Sequence, residues 1–233
     1  MVFLSYIAIL MTAALLDYPK KDNKTYTVKS IRDELRLTGK GDNALWQKAG
    51  ELSDFIYPWE NEKPPLTSFK ALHSKDWLYC VFYVKDDNIK VYVDKNDKSE
   101  VVFSDRAEIF FKKDDLLSPY YGLELDPLGR IYDYQAEFHR KFDRTWSWPK
   151  GQLVVKTART NDGYTVELAI SKASLVQLGL LKNKILQAGL YRGECVELVG
   201  KEATIKWISW VRPASKTPDF HIPSSFGILM LED

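Results

Sequence analysis

Five carboxylates, Glu108, Glu124, Asp126, Asp133 and Glu137, fall in consecutive stretches of alternating polar and apolar residues. Two such acids set across a cleft could act as the acid and base of glycoside hydrolysis. The same groups could instead hold a sugar without cutting it, by accepting hydrogen bonds from vicinal hydroxyls. Sequence does not give their separation, so both uses stand at this stage. Other chemistry finds little support. The three histidines, His73, His139 and His221, are too far apart for a helical zinc pair. There is no GxSxG nucleophile elbow, no GxGxxG and no phosphate-binding loop. Cys80 and Cys195 lie in separate apolar runs with no CxxC between them; they read as two buried thiols, with a bridge left open.

The elements that would position these acids are strands. "WLYCVFYV" (77–84) is apolar on both parities, so Leu78, Cys80, Phe82 and Val84 face one way and Trp77, Tyr79, Val81 and Tyr83 the other. Such a strand belongs in the middle of a sandwich. In "TNDGYTVELAISKASL" (160–175) the Asp162-Gly163 pair turns a hairpin into a half-buried strand, with Tyr164, Val166, Leu168 and Ile170 on its core side. Ser171 then opens one or two helical turns. Asp126-Pro127-Leu128-Gly129 is a turn between two more strands. Asp42 is placed to cap a second short helix carrying Leu45, Trp46 and Ala49. Trp46 and Trp210 read as core. "TWSWPKGQ" reads as a loop exposing Trp146 and Trp148.

Ten to twelve short strands with two helical pieces describe an all-β chain, one antiparallel β-sandwich whose helices cap its open ends. The 233 residues fit one domain, 21–233, after a possible leader over residues 1–20. That leader rests on "VFLSYIAILMTAALL", an uncharged apolar run of 15 residues ending near small residues. It is short for a bilayer span and resembles a signal-peptide core, pointing to a secreted, periplasmic or cell-surface protein. No later stretch is apolar enough to span a membrane. A net charge of +1 with no basic patch argues against nucleic acid as a partner. Seven Trp and thirteen Tyr supply ample rings for a flat binding surface.

Several stretches, in order, resemble the family 9 carbohydrate-binding modules, in the subgroup found with xylanases. They are "LTGKGDNALWQKAGELSDFIYPW", "TSFKALHSKDWLYCVFYVKDD", "SDRAEIFF", "ELDPLGRIYDY", "ARTNDGYTVELAISKASL" and "ISWVRP…DFHIPSSFGILML". The resemblance spans residues 26 to 232. It implies a β-sandwich that captures a polysaccharide or oligosaccharide of xylan or glucan type between two aromatic rings, with polar side chains beneath. Carried over by position, Glu108 lies beneath the sugar, Phe220 and Phe103 are the two rings, and Glu124 reverses a basic contact. His221 and Arg192 are rim contacts, and Trp146 and Trp148 a replacement platform. Some members bind calcium, for which the acids of "KDDNIKVYVDKNDK" (85–98) could supply oxygens. Two further readings remain: a xylanase-like glycoside hydrolase using the paired carboxylates, and a haem-binding relative with His221 or Met230 as axial ligand.

Overall fold

The computed structural model describes residues 24–233; the expected leader lies outside the described residues. Twelve strands run in chain order: β1 (Thr25–Ser30), β2 (Thr67–His73), β3 (Trp77–Lys85), β4 (Arg106–Lys112), β5 (Tyr120–Leu125), β6 (Ile131–Glu137), β7 (Lys141–Asp143), β8 (Leu153–Thr160), β9 (Gly163–Ser171), β10 (Ile185–Val199), β11 (Glu202–Ser209) and β12 (Gly227–Leu231). A single helix, α1 (Lys172–Gln177), follows β9, with three short 3-10 turns elsewhere.

The strands form two packed layers. One runs β7-β6-β5-β4-β10-β12, with β11 added to the far half of β10. The other runs β2-β3-β9-β8. All of these pairings are antiparallel. The expected all-antiparallel sandwich has one exception: β1 lies parallel to β12 (Thr25 opposite Ile228) and parallel to β2 (Lys29 opposite Leu72), joining the layers along one side.

The main core fills the space between the layers, as the alternation of β3 and β9 requires. Leu78, Cys80, Phe82, Val84, Tyr164, Val166, Leu168 and Ile170 all lie in it. At about 1.5–3 kcal/mol for each large apolar side chain buried, this interface dominates the stability of the domain. Trp210 is also there, as read from sequence. Trp77, Tyr79, Val81 and Tyr83 face the other way and pack with Ile31, Leu35 and Trp46 on the outside of the β2-β3-β9-β8 layer.

The structure departs from the sequence reading in three further places. β9 is buried along its whole length, not half-buried, because residues 31–49 cover its outer face. The short element at Ala44–Lys48 is a 3-10 turn capped by Asn43, whose side chain accepts from the Leu45 N–H; Asp42 instead accepts from the Thr38 hydroxyl. Trp146 and Trp148 do not stand out from their loop. Trp148 is buried against Phe111 and Tyr121, and Trp146 packs on Tyr121 at 5.0 Å. The loop folds inward because Asp133 accepts from the Trp148 N–H at 2.7 Å and the Trp148 indole donates to Ser174 of α1 at 3.0 Å.

Glu167 explains how the outer cover is held. This buried carboxylate of β9 accepts from the backbone N–H of Thr38 (2.8 Å) and Gly39 (2.5 Å) and from the Trp46 indole (2.8 Å). Replacing it leaves three donors without a partner in a dry setting. Glu167→Leu is therefore expected to cost about 3 kcal/mol or more, lowering the melting temperature by roughly 10 °C in a domain of this size. Thermal denaturation followed by circular dichroism checks it; an unchanged midpoint would show that residues 38–46 are held by other means.

Candidate functional site

Period-2 alternation decides what β4 presents. Ala107, Ile109 and Phe111 point into the main core. Arg106, Glu108 and Phe110 point out through the opposite face of the layer. Glu124 of β5 is directly opposite Glu108 in register. On this outer face lies a second, ring-rich core of Phe110, Tyr120, Tyr132, Tyr134, Tyr191, Phe220 and Phe226. The chain segment after β11 folds back across it.

A half-open cleft of about 180 Å³ opens here. Arg106, Glu108, Phe110 and Glu124 make its floor, Trp59 and Trp207 its ring walls, and Pro218 to His221 one side, with Arg140 at the rim. At about 30 Å³ per water, that is space for roughly six waters, the room a single sugar ring needs. Trp207 reaches the cleft because β11 alternates: Ile208 and Trp210 go inward and Trp207 outward. Trp59 arrives from the loop before β2 and is fixed by its indole donating to the Ser215 carbonyl at 2.9 Å. Gly193 of β10 makes room for Arg106, since a Cβ there would stand 2.8 Å from a guanidinium nitrogen.

The floor is an electrostatic triad. The Arg106 Nε lies 2.8 Å from both Glu124 Oε2 and Glu108 Oε1. It donates its hydrogen bond to Glu124. The Glu108 oxygen is off the line of the N–H bond and, although buried, has no hydrogen-bond partner. Its Nη1 donates to the Val102 and Ser104 carbonyls. Burial raises the Glu108 carboxyl above its usual range, the Glu124 charge raises it further, and Arg106 opposes both. Burial likewise raises Glu124 against the pull of Arg106. One cation thus serves two dry carboxylates.

Asp219 organises the side of the cleft. Its carboxylate accepts from Arg140 at 3.0 Å and from the backbone N–H of His221 at 2.9 Å, and pairs with His139 at 2.8 Å. Burial pushes it up, but these partners outweigh burial and hold it below the usual carboxylate value. It thereby ties the β6-β7 turn to the segment carrying Phe220 and His221. Burial, aided by the Arg140 charge, brings His221 down to about 3, so its imidazole is neutral at ordinary pH. Nδ1 lies 2.9 Å from the Tyr120 hydroxyl, and the ring stacks on Phe110 at 5.3 Å.

Of the eight residues expected from sequence, four meet in the cleft: Glu108, Glu124, Phe220 and His221. Phe220 stacks on Tyr191 at 4.1 Å, so one ring face is already covered. The other four lie elsewhere. The Phe103 ring packs edge-on against Tyr92 and under the Lys201 ammonium. Arg192 follows Tyr191 on β10 and so points through the opposite face, fully buried, donating to Asp86 (3.0 Å) and the Lys85 carbonyl (3.1 Å). Trp146 and Trp148 belong to the core described above. Arg106, Trp59, Trp207, Arg140 and Asp219 were not singled out from sequence. Arg106 carried a readable signal, two residues before Glu108 on the same face of one strand. Trp59 carried none.

The loop expected to offer oxygens to calcium is braced from within. Asp86 pairs with Arg192, Asp97 caps the 3-10 turn at Lys98–Phe103, and Arg130 grips Glu100, Asp126 and the Tyr92 carbonyl. Among the described residues no three His, Cys, Asp or Glu side chains gather as a metal site. Met230 is exposed on β12 and His221 lies in the cleft, so the two residues considered for haem do not share a pocket. Cys80 and Cys195 are both free and buried. Among the described residues no helix is long and apolar enough to cross a membrane.

A two-layered sandwich with a ring-walled, polar-floored cleft on one outer face has the build of a carbohydrate-binding module. The chain belongs to the carbohydrate family 9 binding domain-like family, whose model matches residues 37–233. Among solved structures, a candidate carbohydrate-binding protein from Bacteroides uniformis superposes with a TM-score of 0.69 at 18% identity, covering 90% of this chain and 99% of that one. A family 9 carbohydrate-binding module from Caldicellulosiruptor kristjanssonii in complex with cellotriose gives 0.57 at 16% identity, covering 90% and 94%. The same organism's family 9 module in complex with glucose gives 0.55 at 17% identity, covering 90% and 96%. At these identities the likeness is one of fold. No curated protein matches significantly.

Proposed function

We propose that this protein is a non-catalytic carbohydrate-binding module that holds one unit of a glucan- or xylan-type saccharide in the Trp59–Trp207 cleft. The observation that carries the reading is the floor beneath the two rings: Glu108 offers a buried oxygen that is ion-paired with Arg106 but accepts no aligned hydrogen bond, beside Glu124. A pyranose has an apolar C–H face for the indoles and a rim of hydroxyls that can donate to that oxygen. The complexes of the Caldicellulosiruptor modules with cellotriose and glucose support the ligand class.

Hydrolysis is the weaker reading. Glu108 and Glu124 are a directly opposed cross-strand pair, with Cβ atoms typically about 5 Å apart. They share one guanidinium on one floor, so both would lie on the same side of any sugar. A glycosidase needs its acid and its base or nucleophile to flank the scissile bond. The apolar run at residues 2–16 supports export, which would place the module where polysaccharides are met.

Isothermal titration calorimetry of the whole protein with glucose, cellotriose and xylotriose tests the reading. Saturable binding of at least one, with no release of reducing ends, is expected. Absence of binding to every saccharide, or reducing-sugar release abolished in Glu108→Gln, would overturn it.

A further inference from the structure

The charges lining the cleft do not balance. Three carboxylates, Glu108, Glu124 and Asp219, face two guanidiniums, Arg106 and Arg140. Arg140 is committed to Asp219, and Arg106 is shared between Glu124 and Glu108 at 2.8 Å each. His221 adds no charge, being neutral, and Tyr134, packed beneath the pair, is neutral as well. His139 meets Asp219 on the rim side and does not line the cleft. The surplus falls on the Glu108–Glu124 pair, which shares one guanidinium; Glu108 is 1% exposed, lines the cleft and, though ion-paired with Arg106, accepts no aligned hydrogen bond at Oε1. An acceptor buried in this way is costly to leave empty. A neutral hydroxyl would satisfy its geometry but not its charge. An ammonium would satisfy both, in a low-dielectric setting where a charge-assisted bond is worth about twice a neutral one.

We propose that the cleft prefers an amino sugar, a saccharide unit carrying a free ammonium next to its ring hydroxyls, such as a glucosamine residue of a β-linked chain. The proposal rests on the reading of the cleft as a sugar site. Neutral glucan-type units fit the same space by stacking on Trp59 and Trp207, but leave Arg106 as the single cation facing Glu108 and Glu124. A bound ammonium supplies a second. N-acetylation removes the ligand's charge and adds bulk, so the acetylated unit loses the advantage.

The test is calorimetry at pH 7 with three disaccharides: cellobiose, the β-1,4-linked dimer of glucosamine, and its N,N′-diacetyl form. The glucosamine dimer is expected to bind at least about tenfold tighter than cellobiose at low salt. The margin should shrink as salt is added, since the cleft is half-open and screened. The diacetyl dimer should bind no better than cellobiose. In Glu108→Gln, which keeps the side-chain shape, the preference should fall to near unity. Should that variant fail to fold, the salt dependence of the wild-type preference decides alone. Equal affinities for cellobiose and the glucosamine dimer, or a preference untouched by salt, overturn the amino-sugar proposal and leave the binding reading intact. Binding of none of the three overturns both.

Discussion

Trp207→Ala is expected to weaken saccharide binding by at least about 30-fold while leaving the fold in place. The indole is partly buried on the outer side of β11 and makes one wall of the cleft. Truncating a central aromatic anchor commonly costs about 2 kcal/mol or more of binding free energy, and about 1.4 kcal/mol is tenfold. Its intramolecular contacts are few: an edge against Phe220 at 5.7 Å and the Arg106 guanidinium 5.1 Å above it. The melting temperature should therefore move by only a few degrees. Trp59→Ala should behave alike, and the double variant should show no measurable binding. Phe103→Ala is the control, since that ring lies away from the cleft and should leave affinity unchanged. Titration calorimetry with whichever saccharide binds best measures all four. Full affinity in the double variant would mean that the indoles are not the sugar platform.

The second large effect is on stability. Arg106→Met removes the only cation on the cleft floor and strands Glu108 and Glu124 together out of water. Breaking a buried ion pair by deleting one partner costs about 3–5 kcal/mol, which is roughly 6–20 °C of melting temperature here. The sign with pH follows from proton counting. Both carboxyls already sit above their usual value in the folded protein, and loss of Arg106 raises them further. Above an unfolded value of about 4.3, the folded state of the variant then binds more protons than the unfolded state. Stability must fall as pH rises through that window. The variant should thus be closest to wild type near pH 4–5 and furthest from it at pH 8. Adding Glu108→Gln and Glu124→Gln should recover much of the loss, because the stranded charges are gone. Urea titrations at several pH values test this. A deficit that grew on acidification would refute the account of the triad.

Much of the sandwich was legible in the sequence, and particular residues show why. A strand's side-chain period is two, so the apolar set of β3 and the inner set of β9 could be assigned to faces without knowing the partners. Asp162-Gly163 and Asp126–Gly129 marked turns by their own backbone chemistry, and Gly163 tolerates no side chain because a Cβ would stand 1.8 Å from the Val84 carbonyl. What period two cannot supply is the identity of the cover over an outer face. That is why β9 read as half-buried, and why Trp148 and Arg192 read as surface groups. The cleft shows the same boundary. Glu108 and Glu124 were found because they sit on strands, as was the segment of Phe220 and His221 through its motif. Trp59 reaches the cleft only through a loop whose path is set by long-range contacts. Arg106 could have been paired with Glu108 by parity alone, but alternation says nothing about which of two faces carries a cleft.

The parallel seam of β1 has a consequence for assembly. Its two neighbours are β2, close to it in sequence, and β12, far along the chain, with Thr25 opposite Ile228. The seam that joins the layers cannot close until β12 has been made, so the edge of β1 that β12 will cover stays open until then. Such distant, late-arriving strand partners are slow to find each other, and an edge left waiting is open to pairing with other chains. Yield of native protein should therefore be governed less by the strength of the finished core than by how quickly β12 docks.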